Sequence, residues 1–68
     1  MENYQRKNGL TAQFHGNANH LESSGSISGL NQLLINVNVS FKYGRVHQSA
    51  VDAVQSAIGR VNAGAATA

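Results

Sequence analysis

Residues 33–43 carry an apolar side chain at every odd-numbered position. The segment reads Leu33, Leu34, Ile35, Asn36, Val37, Asn38, Val39, Ser40, Phe41, Lys42, Tyr43. A period of two places successive side chains on opposite faces of a strand. The pattern therefore predicts a β-strand that buries its odd-numbered face and leaves a polar face whose use is open.

A helical pattern follows this strand after Gly44. At 100° per residue, one arc collects small apolar side chains, and the opposite arc is polar. The apolar set is Val46, Ala50, Val51, Ala53, Val54, Ala57, Ile58 and Val61. Ser49 and Asp52 have the spacing of a capping box, and Asn62 or Gly64 would end the helix. The pattern predicts an amphipathic C-terminal helix.

The weaker patterns complete a small α+β domain. Residues 9–15 alternate as a short strand, Gly16–Asn17 is a turn signal, and residues 18–21 form a weaker return strand. Leucines 30, 33 and 34 have helical spacing, which leaves a helical turn before the main strand open. We expect a two- or three-stranded antiparallel sheet packed against one C-terminal helix. The domain spans 9–63, between flexible tails 1–8 and 64–68.

Size and composition favour association with a partner. The chain has 68 residues and no cysteine, so disulfides and thiolate metal sites are excluded. A domain this small buries a modest core and often needs a partner subunit. Only 12% of the residues are charged, with a formal net charge of +2, against about 25% in a typical domain. Nucleic-acid binding is therefore a weaker expectation than protein binding.

Nothing in the sequence predicts an enzyme, a cofactor or a small-molecule substrate. The three carboxylates, Glu2, Glu22 and Asp52, lie far apart in the sequence and suggest no acid–base pair. Histidines 15, 20 and 47 do not follow a zinc-binding spacing, so no metal site is predicted. No signal peptide or membrane-spanning segment is recognisable, and we expect a cytoplasmic protein of bacterial or phage type.

Two candidate binding regions remain. Lys42, Arg45 and His47 lie at the predicted strand–helix junction, near free backbone N–H groups that favour anions. Asn36 and Asn38 lie on the polar strand face, which offers amides or a strand edge to a partner. The alternatives are a charged turn that protects a strand edge and an ordinary solvated face. Arg60 is a further candidate for polar contact.

The resulting hypothesis is a non-enzymatic protein that occupies a partner protein's surface, as an inhibitor or adaptor, and self-associates as a dimer. One alternative is nucleic-acid binding through Lys42, Arg45 and Arg60. Another is a structural subunit of a homo-oligomeric assembly, since a long strand of low charge without proline pairs readily with copies of itself.

Overall fold

The computed structural model describes the backbone of residues 2–64 and the side chains of residues 8–64. It contains three helices, α1 (Glu2–Ser24), α2 (Ile27–Lys42) and α3 (Gln48–Asn62). No strand occurs in residues 2–64. The predicted α+β class and its antiparallel sheet are therefore wrong, and the protein is an all-helical three-helix bundle.

Two glycines in the left-handed region end the first two helices. Gly25 has φ 69° and Gly44 has φ 72°, a conformation that glycine adopts without steric cost. In both turns the following N–H reaches back five residues: Ser26 to the carbonyl of Leu21 at 3.0 Å, and Arg45 to that of Ser40 at 2.8 Å. These bonds satisfy carbonyls that a helix end leaves unpaired. The short links make successive helices antiparallel neighbours.

All three helices contribute to one core. Its buried apolar residues are Phe14, Ala18, Leu30, Leu33, Val37, Val46, Ala50, Val51, Val54 and Ala57. Leu10, Leu21, Leu34, Ile58 and Val61 pack against them and are partly buried. The helix α3 supplies alanine and valine, and small side chains let it lie close to both α1 and α2.

The main correction concerns residues 33–43, which form the second half of α2 and its end. Leu33 and Val37 are buried, as the strand pattern required, but Ile35 and Val39 are 58% and 50% exposed. The buried positions Leu30, Leu33 and Val37 instead follow helical spacing. A helix forms its hydrogen bonds within one segment, whereas a strand needs a partner strand to pair its backbone groups.

The predicted strands at 9–15 and 18–21 and the turn at Gly16–Asn17 are also wrong, because all of these residues lie in α1. Thr11, Phe14 and Ala18 are buried at i, i+3 and i+7, which is the spacing of a packed helix face. The helix begins at Glu2, inside the segment that the sequence predicted as a tail. Of the predicted C-terminal tail, residues 65–68 lie outside the described residues.

The C-terminal helix is confirmed. It runs from Gln48 to Asn62, and five of the eight residues predicted for its apolar face are buried while the other three are half-buried. The predicted capping box is wrong. The N-cap position is His47, which makes no side-chain capping bond, and Asp52 instead accepts a hydrogen bond from the side-chain amide of Gln48 at 3.2 Å.

Candidate protein-interaction surface

The six residues predicted to contact a partner do not form one site. They are Asn36, Asn38, Lys42, Arg45, His47 and Arg60. The first four are exposed on α2 or just after it, His47 is half-buried, and Arg60 lies near the far end of α3. The fold therefore places the asparagines and Lys42 on α2, Arg45 just after it, and Arg60 elsewhere.

His47 fixes the α2–α3 link to α1. Its backbone N–H donates to Thr11 Oγ1 at 3.1 Å, and its ring Nε2 lies 2.9 Å from Asn8 Oδ1. These bonds hold the start of α3 beside the first half of α1. The contacts of His47 are thus made within the chain, and they position the start of α3 against α1.

Arg60 joins the opposite end of α3 to α1. Its Nε donates to Glu22 Oε2 at 2.6 Å and its second guanidinium nitrogen to Oε1 at 2.9 Å, a two-point contact. The hydrogen bonds from Arg60, aided by its charge, lower the pKa of the Glu22 carboxyl against the opposing effect of desolvation. The guanidinium is correspondingly held in its charged form.

This pair predicts a pH-dependent stability. Because the folded-state pKa of Glu22 is depressed, its contribution is complete above the unfolded-state value of about 4.3 and is lost as the pH falls through the lower folded value. We expect urea unfolding midpoints of the natural chain to exceed those of Glu22→Gln at pH 7, with the difference vanishing in acid. A difference that stays constant from neutral to strongly acidic pH would contradict this role.

The exposed face of α2 carries an apolar row. Ile35, Val39 and Tyr43 stand one turn apart, and they are 58%, 50% and 71% exposed. We call these three residues the α2 ridge. At 100° per residue, Asn36 and Asn38 fall on the two sides of this ridge. The two predicted asparagines therefore flank an apolar row, and the strand prediction had wrongly placed that row in the core.

Apart from Lys42 and Arg45 beside Tyr43, the surface around the ridge is almost free of charge. From residue 8 to residue 41 the only Asp, Glu, Lys or Arg is Glu22, which Arg60 pairs. The exposed side chains of α1 and α2 in this range are asparagine, glutamine, serine, histidine and small or apolar residues. We call this region the uncharged flank. Charged residues are depleted at the centre of protein interfaces relative to other surface.

A shallow groove of about 220 Å³ lies between α1 and α2 within this flank. It is lined by Asn17, His20, Leu21, Gly29, Gln32, Leu33 and Asn36. A side chain at Gly29 would bring a Cβ within 2.9 Å of a Leu21 methyl carbon, so glycine permits the close approach of the two helices there. Asn36 borders both the groove and the α2 ridge, which makes them one continuous surface.

Two exposed cations of the described side chains lie at one end of the bundle. Lys42 belongs to the last turn of α2, and Arg45 follows in the link to α3. We call these two residues the basic end. Arg45 lies over the Tyr43 ring, with its guanidinium carbon 5.8 Å from the ring centroid, a cation–π geometry. Asp52, in the first half of α3, lies in the same half of the molecule and offsets part of this charge.

No match to this chain was found among protein-family models, curated proteins or solved structures. Among the side chains that the structure describes, no three His, Cys, Asp or Glu residues converge as metal ligands. Within residues 2–64, no helix combines the length and apolar character needed to cross a bilayer.

The sequence prediction missed the α2 ridge because it treated the ridge residues as core. A helical reading of residues 27–43 would have found it, since Ile35 and Val39 fall opposite Leu30, Leu33 and Val37. The absence of charge between residues 23 and 41 was also visible in the sequence. The lack of charged residues in this segment would have indicated the uncharged flank even without an assignment of secondary structure.

Proposed function

We propose that this protein is a small, non-enzymatic protein-binding module whose docking surface is the α2 ridge with the uncharged flank around it. One observation carries the proposal: the large apolar side chains of Ile35, Val39 and Tyr43 are exposed in a row, and from residue 8 to residue 41 the only charged side chain is Glu22, which Arg60 pairs. Isolated exposed apolar residues are ordinary, but a contiguous patch on a soluble protein marks an interaction site.

The chemistry of the surface fits a protein partner better than other ligand classes. The ridge offers aliphatic and aromatic area for burial, and its amides offer both donors and acceptors for the rim of an interface. An apolar row along one helix face is suited to a partner helix, which presents anchors at matching intervals. The groove beside it is shallow and below the usual volume of a small-molecule pocket, about 300 Å³ or more.

Site-directed photocrosslinking tests this proposal. A photoreactive phenylalanine analogue would replace Val39 in cells that make the protein, and Gln55, exposed on the outward side of α3, would serve as the matched control position. We expect discrete protein adducts from position 39 and none from position 55. Equal labelling at both positions, or no protein adduct at position 39, would contradict the proposal.

The basic end favours nucleic-acid binding as a second candidate. It holds Lys42 and Arg45 at one end of the bundle, while Arg60, the third cation of this hypothesis, is paired with Glu22 near the far end of α3. Binding through such a patch weakens steeply as the salt concentration rises, because the release of counterions from the nucleic acid then gains less free energy. A mobility-shift titration at low and moderate salt separates the candidates, because only the nucleic-acid function requires a salt-sensitive shift.

A further inference from the structure

We propose that the partner of the α2 ridge is an amphipathic helix that carries acidic residues in its first turn and runs antiparallel to α2. This inference rests on the proposed function, because it names the chemistry of the partner for the same docking surface. The apolar anchors of the partner cover the ridge, and its acidic first turn lies against the basic end, Lys42 and Arg45.

Lys42 lies on the same helix face as the ridge. It follows Ile35 by seven residues and Val39 by three, and at 100° per residue these positions share one side of α2. The Lys42 side chain is exposed in the last turn of the helix. A partner that covers Ile35 and Val39 therefore reaches this ammonium group within one further turn.

Arg45 extends the same surface beyond the end of α2. Its guanidinium carbon lies 5.8 Å from the centroid of the Tyr43 ring, and Tyr43 is the last residue of the ridge, 71% exposed. This cation–π contact holds the charge beside the apolar row. A guanidinium presents several N–H donors in a planar fork, a geometry that matches a carboxylate.

Neither cation has a carboxylate partner among the side chains of residues 8–64. The ion pair in this part of the chain joins Arg60 to Glu22, and neither Lys42 nor Arg45 takes part in it. The two charges therefore stand at one end of an apolar row without an acid to balance them. Interfaces place groups of opposite charge against each other, so the complementary partner carries acid at this end and apolar residues along the rest of the row.

The helix dipole selects the direction of the partner. Carboxylates are favoured in the first turn of a helix, where the backbone N–H groups carry partial positive charge, and cations are favoured in the last turn. The basic end adjoins the C-terminal end of α2. A partner that places its acidic first turn there must run back along α2 toward Ile35, which is the antiparallel direction.

A protein helix fits this surface better than a nucleic acid does. From residue 8 to residue 41 the chain has no Lys or Arg, so the ridge offers cations at one end alone, whereas affinity for a phosphate backbone grows with the number of phosphates that are neutralised. A strand of phosphates along α2 would leave Ile35 and Val39 without a complement. An amphipathic helix with an acidic first turn uses both the row and the charges.

Selection from a displayed peptide library tests the proposal. The peptides would have 16 residues, the length of α2, with varied apolar residues at three positions four apart and with Glu, Lys or Gln in the first and last turns, all good helix formers. We expect the natural chain to enrich peptides with Glu in the first turn and not in the last. Val39→Glu, an exposed substitution in the ridge, should abolish the enrichment.

Charge variants of the basic end test the acidic contact. Lys42→Glu combined with Arg45→Glu should reverse the preference, so that enriched peptides carry Lys in the first turn. A peptide selected by the natural chain should bind Lys42→Gln/Arg45→Gln about 2- to 30-fold more weakly in fluorescence anisotropy, the product expected for two exposed ion pairs, and this loss should shrink at about 1 M salt. Gln55→Glu/Ser56→Glu makes the same change in net charge at exposed positions of α3 and should bind like the natural chain.

Several results would overturn the inference and leave the proposed function in place. They are enriched peptides without an acidic first turn, enriched peptides with acid in the last turn, and a failure of the library together with position-39 crosslinks to another protein in cells. Enrichment that survives Val39→Glu would place the peptide contact outside the ridge and would also overturn it.

Two further results concern the alternatives. An oligonucleotide shift that Lys42→Glu/Arg45→Glu abolishes, without any peptide enrichment, would assign the basic end to nucleic acid and overturn the acidic helix as its partner. If the library yields no peptide and position 39 yields no specific protein adduct, both proposals fail together.

Discussion

Replacement of Leu30 by alanine is expected to lower the free energy of unfolding by about 2–5 kcal/mol. Leu30 has no exposed surface and lies where α2 meets the rest of the core, so truncation removes buried apolar area and leaves a cavity. A domain of this length has roughly 3–10 kcal/mol of stability, at about 0.05–0.15 kcal/mol per residue. The substitution should therefore unfold a large fraction of the molecules, measured by circular dichroism during urea and thermal denaturation.

Ile35→Ala provides the matched control for this experiment. It removes a similar aliphatic side chain from the same helix, but at a position 58% exposed, where substitutions usually change stability by no more than about 0.5 kcal/mol. If Leu30→Ala and Ile35→Ala destabilise the chain equally, the helical register of α2 described above is wrong.

Replacement of Thr11 by valine should cost about 1–3 kcal/mol, because it leaves the His47 backbone N–H without the hydroxyl oxygen that accepts its bond. Thr11 is 7% exposed, and valine has nearly the same shape, so the loss concerns hydrogen bonding rather than packing. The site-specific readout is amide hydrogen exchange at His47, which should accelerate in Thr11→Val.

Thr11→Ser separates the hydroxyl from the methyl group. Serine keeps an oxygen acceptor at this position, so the His47 amide should stay protected even if the lost methyl group costs some stability. An unchanged exchange rate at His47 in Thr11→Val, together with unchanged stability, would show that the link between α1 and the start of α3 does not depend on this bond.

The sequence predicted α3 well because its signal was unambiguous. The apolar residues from Val46 to Val61 fit a period of 3.6, and no competing period explains them. Its small side chains allow close packing, here against two helices rather than the predicted sheet. Gly44 was predicted to end a strand, and it instead follows the C-cap of helix α2 in the left-handed conformation.

The strand prediction for residues 33–43 failed because Leu33 and Val37 satisfy both periods. With a separation of four residues, two positions share a face in a strand and also in a helix. Ile35 and Val39 are also apolar, so the alternation looked complete, although both residues are exposed in the helix. Nothing within the segment distinguishes a strand core from a helix with a second, solvent-facing apolar row.

The first helix was missed because its residues are poor helix formers. Gly9, Gly16 and the nearby asparagines have low intrinsic propensity, and among the side chains described from residue 8 onward, Phe14 is the only buried aromatic residue of this helix. Packing against α2 and α3 supplies the stabilisation that propensity does not. The separation of Arg60 from Arg45 could have been predicted, since the two residues lie at opposite ends of α3, about 22 Å apart along its axis.

The β-branched character of the α2 ridge has a consequence for recognition. In a helix, valine and isoleucine occupy essentially one χ1 rotamer, and the Gly44 turn and the His47 anchors hold the backbone that follows. A partner that covers Ile35 and Val39 therefore immobilises little that was moving beforehand. Because ordering flexible groups is a large part of the cost of association, a small contact on this helix can still discriminate between partners by shape.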